Sequence, residues 1–359
     1  MNKINQKKSE SIEKINSEIL KQSHIAIDTE FMRERTYFAK LCLVQIATPS
    51  SIFCIDAISN DNLKKFWNCI SNSSCIFHSA RQDLEVIFQN SDLLPNKIFD
   101  TQIAAGLVGF EPQISYANLV EKLCGKVLKK SQTRANWEKR PLTKEMISYA
   151  REDVEFLLEM HAILLEKLKK MDRISWAEED SKSLNNCNLY KFDSNEAINR
   201  IKSAKYLSGR TKKAIHLLLK WRENKAIEKN LPRQWIIRDK TLVNIASTSI
   251  DLSGDFSNIK DISERFIKKN GDEVIKILEK SRISEEDYPP ENKMNEKQKK
   301  IMAEMQKFII KISKSLNIAP EIIATKKEIK LYLMEKNKSK LIKGWRKKLT
   351  EEKFLELTE

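Results

Sequence analysis

The sequence predicts an α/β domain with a mixed sheet, followed by one or two all-helical bundles. Four observations carry this. Short apolar, β-branched runs are confined to the first 80 residues, and almost only helical periodicity follows residue 171. With 7 Gly and 8 Pro in 359 residues, a sandwich, a propeller or a collagen-like chain is excluded. The length allows two or three domains at about 100–200 residues each. A hydrophobic content of 41% sustains packed cores and excludes a disordered tail.

Residues 1–20 lack an apolar segment of the kind a secretory signal needs, so the chain is expected to be cytoplasmic. HIAID (24–28), LCLVQIAT (41–48) and SIFCIDA (51–57) read as strands. The last two are joined through Pro49-Ser50, which predicts adjacent antiparallel pairing. CIFH (75–78) is a fourth short run, followed by a helix with Leu84, Ile87 and Phe88 on one face. Thr143 reads as an N-cap with Glu145 in the first turn. One long helix then carries the stripe Met146, Ala150, Val154, Leu157, His161, Leu164 and Leu168. Residues 178–197 are polar and patternless and read as a linker, and Pro289-Pro290 marks a second break.

No membrane partner is expected, because the longest apolar stretch, Leu41 to Ala47, falls far short of the roughly 20 residues of a membrane span. Six cysteines without a CxxC pair predict buried reduced thiols, with no disulfide and no structural zinc. Charge is divided unevenly. Residues 1–170 carry 24 Lys+Arg against 21 Asp+Glu, whereas residues 171–359 carry 41 against 29. Within 200–240 there are 13 basic and 3 acidic residues. A near-neutral half joined to a basic one suggests chemistry in the first and polyanion attraction in the second. The alternative is a Lys-rich solvated surface of a compositionally biased chain.

Candidate chemistry lies in the near-neutral half. Asp28 and Glu30, in IAIDTEF, share one face of a strand, where their like charges repel unless a cation sits between them. Asp83 falls in the first turn of the helix in HSARQDLEVIF. Asp153 follows Tyr149 by one helical turn in SYAREDVEFLL, so both project to nearly the same side. Each signal alone has an ordinary structural reading as strand end, cap or packing pair. Their order, D-x-E, then D, then Y-x-x-x-D, raises the joint reading. Asp100 in FDTQ reads as a helix cap, and His78 as a strand-end histidine satisfied by backbone. The loop 126–140 interleaves Lys130, Arg134 and Arg140 with Trp137, a pattern suited to phosphates on cations and a base on the ring. Its alternative is a solvated loop with Trp137 in the core. Trp221 and Trp235 are expected to be core residues.

These segments resemble the three exonuclease motifs of ribonuclease D, within the DEDD family of 3′→5′ exonucleases. The first is IAIDTEFMRERTYFAKLCLVQIA, the second FHSARQDLEVIF and the third YAREDVEFLL. LLLKWRENKAIEKNLPRQWIIRDKTLVNIA is similar to the HRDC helical module, and LIKGWRKKL to the closing segment of ribonuclease D chains. The resemblance implies a ribonuclease H-like exonuclease domain over 1–177 and an HRDC domain over 198–285. It further implies a second HRDC-like helical domain over 290–359. It makes Asp28, Glu30, Asp83 and Asp153 catalytic ligands of two divalent ions, Mg²⁺ or Mn²⁺, about 4 Å apart. Tyr149 marks the subfamily: the sister branch uses a His five residues before the last Asp, where this chain has Ser148. The implied activity is 3′→5′ trimming of RNAs with a single-stranded 3′ end, such as tRNA precursors, releasing 5′-mononucleotides. A DNA-directed exonuclease and an inactive nucleic-acid-binding factor are the alternatives. Because all four carboxylates precede residue 170, the catalytic site is expected to survive deletion of everything after it.

Overall fold

The computed structural model describes residues 11–60, 63–128, 135–204, 207, 209–248, 256, 259, 261–282, 288 and 293–359. The expected break at Pro289-Pro290 lies outside them. They divide into two compact units. The first comprises the described residues of Met1–Met32, Lys40–Tyr190 and Met294–Glu359; the second those of Arg33–Ala39 and Lys191–Lys293.

The first unit is built on a five-stranded sheet: β1 (Ile25–Met32), β2 (Lys40–Ala47), β3 (Ile52–Asp56), β4 (Ser74–Phe77) and β5 (Lys97–Asp100). Spatial order is β3-β2-β1-β4-β5, with β1, β2 and β3 antiparallel and β4 and β5 parallel to β1. The first four strands lie where their apolar runs predicted. β5 is not among the apolar runs of the sequence, because KIFD holds only two apolar residues between Lys97 and Asp100. Strand β2 is buried at every position from Leu41 to Ala47, as a central strand covered on both faces requires.

The expected single helix over 144–168 is two, Lys144–Glu155 and Leu157–Lys170, broken at Phe156. At the break, the Tyr116 hydroxyl donates to Glu152 O (2.7 Å) and accepts from Phe156 N (3.2 Å). Its phenol replaces bonds that the interrupted ladder loses. The apolar stripe nonetheless stays inside on both pieces, with His161 half-buried.

Residues 178–197 are not an unstructured linker. Helix Ile174–Ser183, a 3₁₀ turn at Cys187–Tyr190 and helix Ser194–Arg200 occupy most of them. Nor do residues 294–359 stand apart as a bundle, for they complete the core of the first unit. Met305, Ile309, Ile323, Ile329, Leu341, Trp345 and Phe354 join Ala104, Leu107, Leu164 and Leu168 in one buried cluster. Trp345 stacks on Trp176 with ring centroids 4.4 Å apart, and Arg346 Nη2 donates to Asp180 Oδ2 at 2.8 Å. Gly106 carries no side chain where a Cβ would come within 2.9 Å of Ile322 Cδ1.

The second unit packs helices Gly209–Lys229, Asp239–Ser247 and Glu264–Arg282 around Leu218, Leu219, Leu242, Ile245 and Val274. Buried Glu223 is matched by Arg233, whose Nη2 donates to it at 2.7 Å, and by the Tyr37 hydroxyl. Trp221 is a core residue as expected, donating its indole N–H to Glu273, but Trp235 is 61% exposed. It lies on the short helix Arg233–Ile236, which has no buried residue.

Candidate active site

Strand β1 outlasts its parallel neighbour, and the site forms where pairing stops. β4 ends at Phe77, after matching β1 only at Ile25 and Ala26. Further along β1, the edge once paired to β4 is open, and an unpaired N–H there needs an acceptor. Asp83 supplies it: Thr29 N donates to Asp83 Oδ1 at 3.1 Å and the Thr29 hydroxyl to the same oxygen at 2.6 Å. Thr29 lies between the two motif carboxylates, with its side chain alternating to the other face. It was not singled out in the sequence, where it is one residue of an apolar strand.

The turn that delivers Asp83 depends on a second carboxylate. Ser79 takes the left-handed conformation (φ 61°), which a residue with a Cβ adopts only at a cost. Asp100 holds it there, accepting from Ser79 N (3.0 Å) and Ala80 N (2.8 Å). Asp100 also caps the helix Thr101–Leu107 through Gln102 N at 2.8 Å, the role expected for it. His78 Nδ1 and Nε2 lie 2.9 Å from Thr101 Oγ1 and Ile114 O, so both nitrogens are occupied within the fold.

Asp28, Glu30 and Asp153 converge so that carboxylate oxygens from all three lie within 4.8 Å of one another. The helix Lys144–Glu155 brings Asp153 to β1, seated by Met146, Ala150 and Val154. Asp83 stands outside that trio, held by Thr29, but its charge reaches the members. Burial pushes Asp28 well up, with Asp83, Asp153 and Glu30 adding repulsion. Glu30 is pushed up to about 9 by burial and by Asp153 and Asp83. Burial raises Asp153 against a hydrogen bond from the Tyr149 side chain, and raises Asp83 against its bonds from Thr29. Such a cluster is strained without a cation, and its all-oxygen donor set fits a hard divalent ion. Tyr149 is half-buried, its ring 6.2 Å from that of Trp137.

The candidate RNA-binding residues fare differently. Lys130 and Arg134 lie outside the described residues. Trp137 is 3% exposed, packed with Cys42, Leu43, Met146 and Ala150, so its faces are not open to a base. Arg140 is committed to the fold. It donates to both oxygens of Asp56 (2.7 and 2.6 Å), to Trp137 O and Lys139 O, and to Cys42 O at 2.9 Å. Cys42 is the extra residue of a bulge opposite Glu30 and Phe31, and Arg140 satisfies the carbonyl there. Burial opposes ionisation of Asp56, but Arg140 and the Ser59 hydroxyl overcome it and bring the carboxyl down to about 2. Spacing in the sequence showed basic residues beside an aromatic. It could not show that one cation and the ring face inward.

Residues 4–169 match the 3′-5′ exonuclease family, and residues 212–278 the HRDC domain. The chain is 30% identical over 345 residues to ribonuclease D of Shewanella sp. (strain ANA-3), covering 93% of this chain and 88% of that protein. It is 32% identical over 352 residues to ribonuclease D of Sphingobium indicum, covering 94% and 90%. The crystal structure of Escherichia coli RNase D, an exoribonuclease involved in structured RNA processing, superposes with a TM-score of 0.87 at 25% identity. That match covers 96% of both chains.

Proposed function

From the premise that this chain belongs to the ribonuclease D family and is a 3′→5′ exoribonuclease, we propose that Asp28, Glu30, Asp83 and Asp153 form its catalytic centre. The single observation that carries the assignment is the convergence of three of these carboxylates within 4.8 Å, with Thr29 holding the fourth beside them. The four would hold two divalent cations, Mg²⁺ or Mn²⁺. When bound, such ions lower the pKa of water and offset charge on the leaving 3′ oxygen.

The chain's own residues then have distinct tasks. Thr29 fixes the rotamer of Asp83, and Asp100 fixes the turn that carries it. Tyr149 places its hydroxyl beside Asp153, where it can donate to one oxygen and accept from water. A hydroxyl that donates to Asp153 and accepts from water serves to orient the attacking water. Bonds to backbone groups tie the side chains of His78, Arg140 and Tyr116 into the fold.

The substrate would be RNA with a single-stranded 3′ end on a folded body, such as a tRNA precursor, released stepwise as 5′-mononucleotides in the cytoplasm. Two observations support that substrate. One is the structured-RNA processing of the E. coli relative. The other is the basic 200–240 stretch, on which Lys202, Arg210, Lys220 and Arg238 are exposed. No helix among the described residues is long and apolar enough to cross a membrane. A nuclease assay on matched RNA and DNA 3′ tails, with Mg²⁺, Mn²⁺ or chelator, tests this reading. Faster turnover of DNA would overturn the RNA preference, and turnover in chelator the metal assignment.

A further inference from the structure

Strand β2 contains one polar side chain in its buried run from Leu41 to Ala47, and that side chain is wholly enclosed. Gln45 is 0% exposed, and neither its Oε1 nor its Nε2 has a hydrogen-bond partner among the described residues. A buried amide left unpaired destabilises a fold, whereas Leu or Met would pack the same space without that cost. Its position is informative. In the β1–β2 register Gln45 is directly opposite Asp28, and in the β2–β3 register opposite Cys54. Directly paired residues on antiparallel strands share a face, with Cβ atoms about 4.5–5.5 Å apart. Two side chains of this length span that gap. Leu43, two residues before Gln45, packs with Met146 and Ala150 of the helix that brings Asp153 to the site, so the same helix closes over this face.

We propose that Gln45 is a positioning residue whose Nε2–H₂ donates to the Asp28 carboxylate when that carboxylate binds a divalent cation. This deepens the catalytic-centre assignment above and rests on it. A charged carboxylate with one oxygen turned to a metal keeps lone pairs that need donors, and partners behind metal ligands fix their orientation. The enclosed amide is the donor on Asp28's own face, dry enough for the bond to be strong. It explains why a polar residue is retained in the middle of an otherwise apolar strand.

The test compares full-length wild type, Gln45→Met and Asp28→Ala. Mn²⁺ affinity is measured by titration calorimetry and melting temperature in chelator by circular dichroism. Gln45→Met keeps the volume and removes both unpaired atoms, so its metal-free melting temperature should equal or exceed wild type by a few degrees. Its Mn²⁺ dissociation constant should rise about 10-fold or more, and kcat at saturating Mn²⁺ should fall by a similar factor. Wild-type Mn²⁺ affinity in a folded Gln45→Met chain overturns the proposal. Asp28→Ala separates the two ideas: if it keeps wild-type Mn²⁺ affinity, the carboxylate assignment fails. If Asp28→Ala loses affinity while Gln45→Met does not, only the role of Gln45 fails. Should Gln45→Met not fold, the side-chain amide resonances of ¹⁵N-Gln-labelled wild type are followed on Mg²⁺ addition. A Gln45 amide signal unmoved by saturating Mg²⁺ overturns the proposal equally.

Discussion

Glu30→Gln should make the metal-free protein more stable, and the size of the gain follows from the electrostatics of the site. Burial and the charges of Asp153 and Asp83 push Glu30 up to about 9, from an ordinary value of 4.5. At pH 7 the unfolded chain has released a proton that the folded chain retains. Each pH unit between 4.5 and 7 costs about 1.4 kcal/mol, a ceiling of about 3 kcal/mol. Glu30 is only half-buried, and relaxation around it reduces this to about 1–2.5 kcal/mol. At about 2–4 °C per kcal/mol, Glu30→Gln should melt roughly 2–10 °C higher than wild type in chelator at neutral pH. The sign of the pH dependence is fixed. A carboxyl with a raised folded pKa contributes full stability below about 4.5 and loses it as pH climbs towards about 9. The gap between variant and wild type should therefore close near pH 4.5 and widen steadily above it. Adding Mg²⁺ should reverse the order, because only the wild type retains the ligand. Far-UV circular dichroism melts across that pH range, with and without metal, measure all three effects. A folded Glu30→Gln protein melting at or below wild type at neutral pH would refute the repulsion argument, as would a gap indifferent to pH.

Asp28→Ala or Asp153→Asn should abolish metal-dependent turnover of a single-stranded RNA while metal-free melting holds or rises; near-normal turnover in either would sink the catalytic assignment. Tyr149→Phe keeps the ring beside Trp137 but deletes the hydroxyl, so single-turnover rates should fall about 10²–10³-fold with little change in RNA affinity. An unchanged rate would make Tyr149 a packing residue. A chain ending at Asp193 should fail to fold rather than yield a free catalytic domain. It loses Met305, Ile309, Ile323, Ile329, Leu341, Trp345 and Phe354 from the core, on the order of 10–20 kcal/mol of apolar burial. That matches or exceeds the stability of most domains. A cooperative melt from that shortened chain would contradict this account of the core.

The sequence by itself determined the fold class and the order of the exonuclease and HRDC segments. Asp28, Glu30, Asp83, Tyr149 and Asp153 stand out as candidates in the sequence through motif spacing and resemblance, and the structure brings the carboxylates of Asp28, Glu30 and Asp153 together. Strand alternation puts i and i+2 on one face, and a helical turn puts i and i+4 side by side. Four strands were legible for the same reason, each being an apolar run of its own. Asp100 was legible as a cap, since capping is a matter of three consecutive residues. What the tertiary structure decided is everything that depends on partners distant in the chain. Arg140 and Trp137 have the composition of a nucleic-acid-binding loop. The partners of Arg140, Asp56 and Cys42, are 84 and 98 residues away, and Trp137 packs with Cys42 and Leu43, so both face inward. The role of Thr29 exists only because β4 stops short and leaves an edge for Asp83. Gln45 acquires meaning only from the register that sets it against Asp28. The second helical domain expected over 290–359 reads as independent because amphipathic periodicity shows that a face will be buried, not what will bury it. Periodicity is a property of one segment, whereas the surface it covers belongs to another.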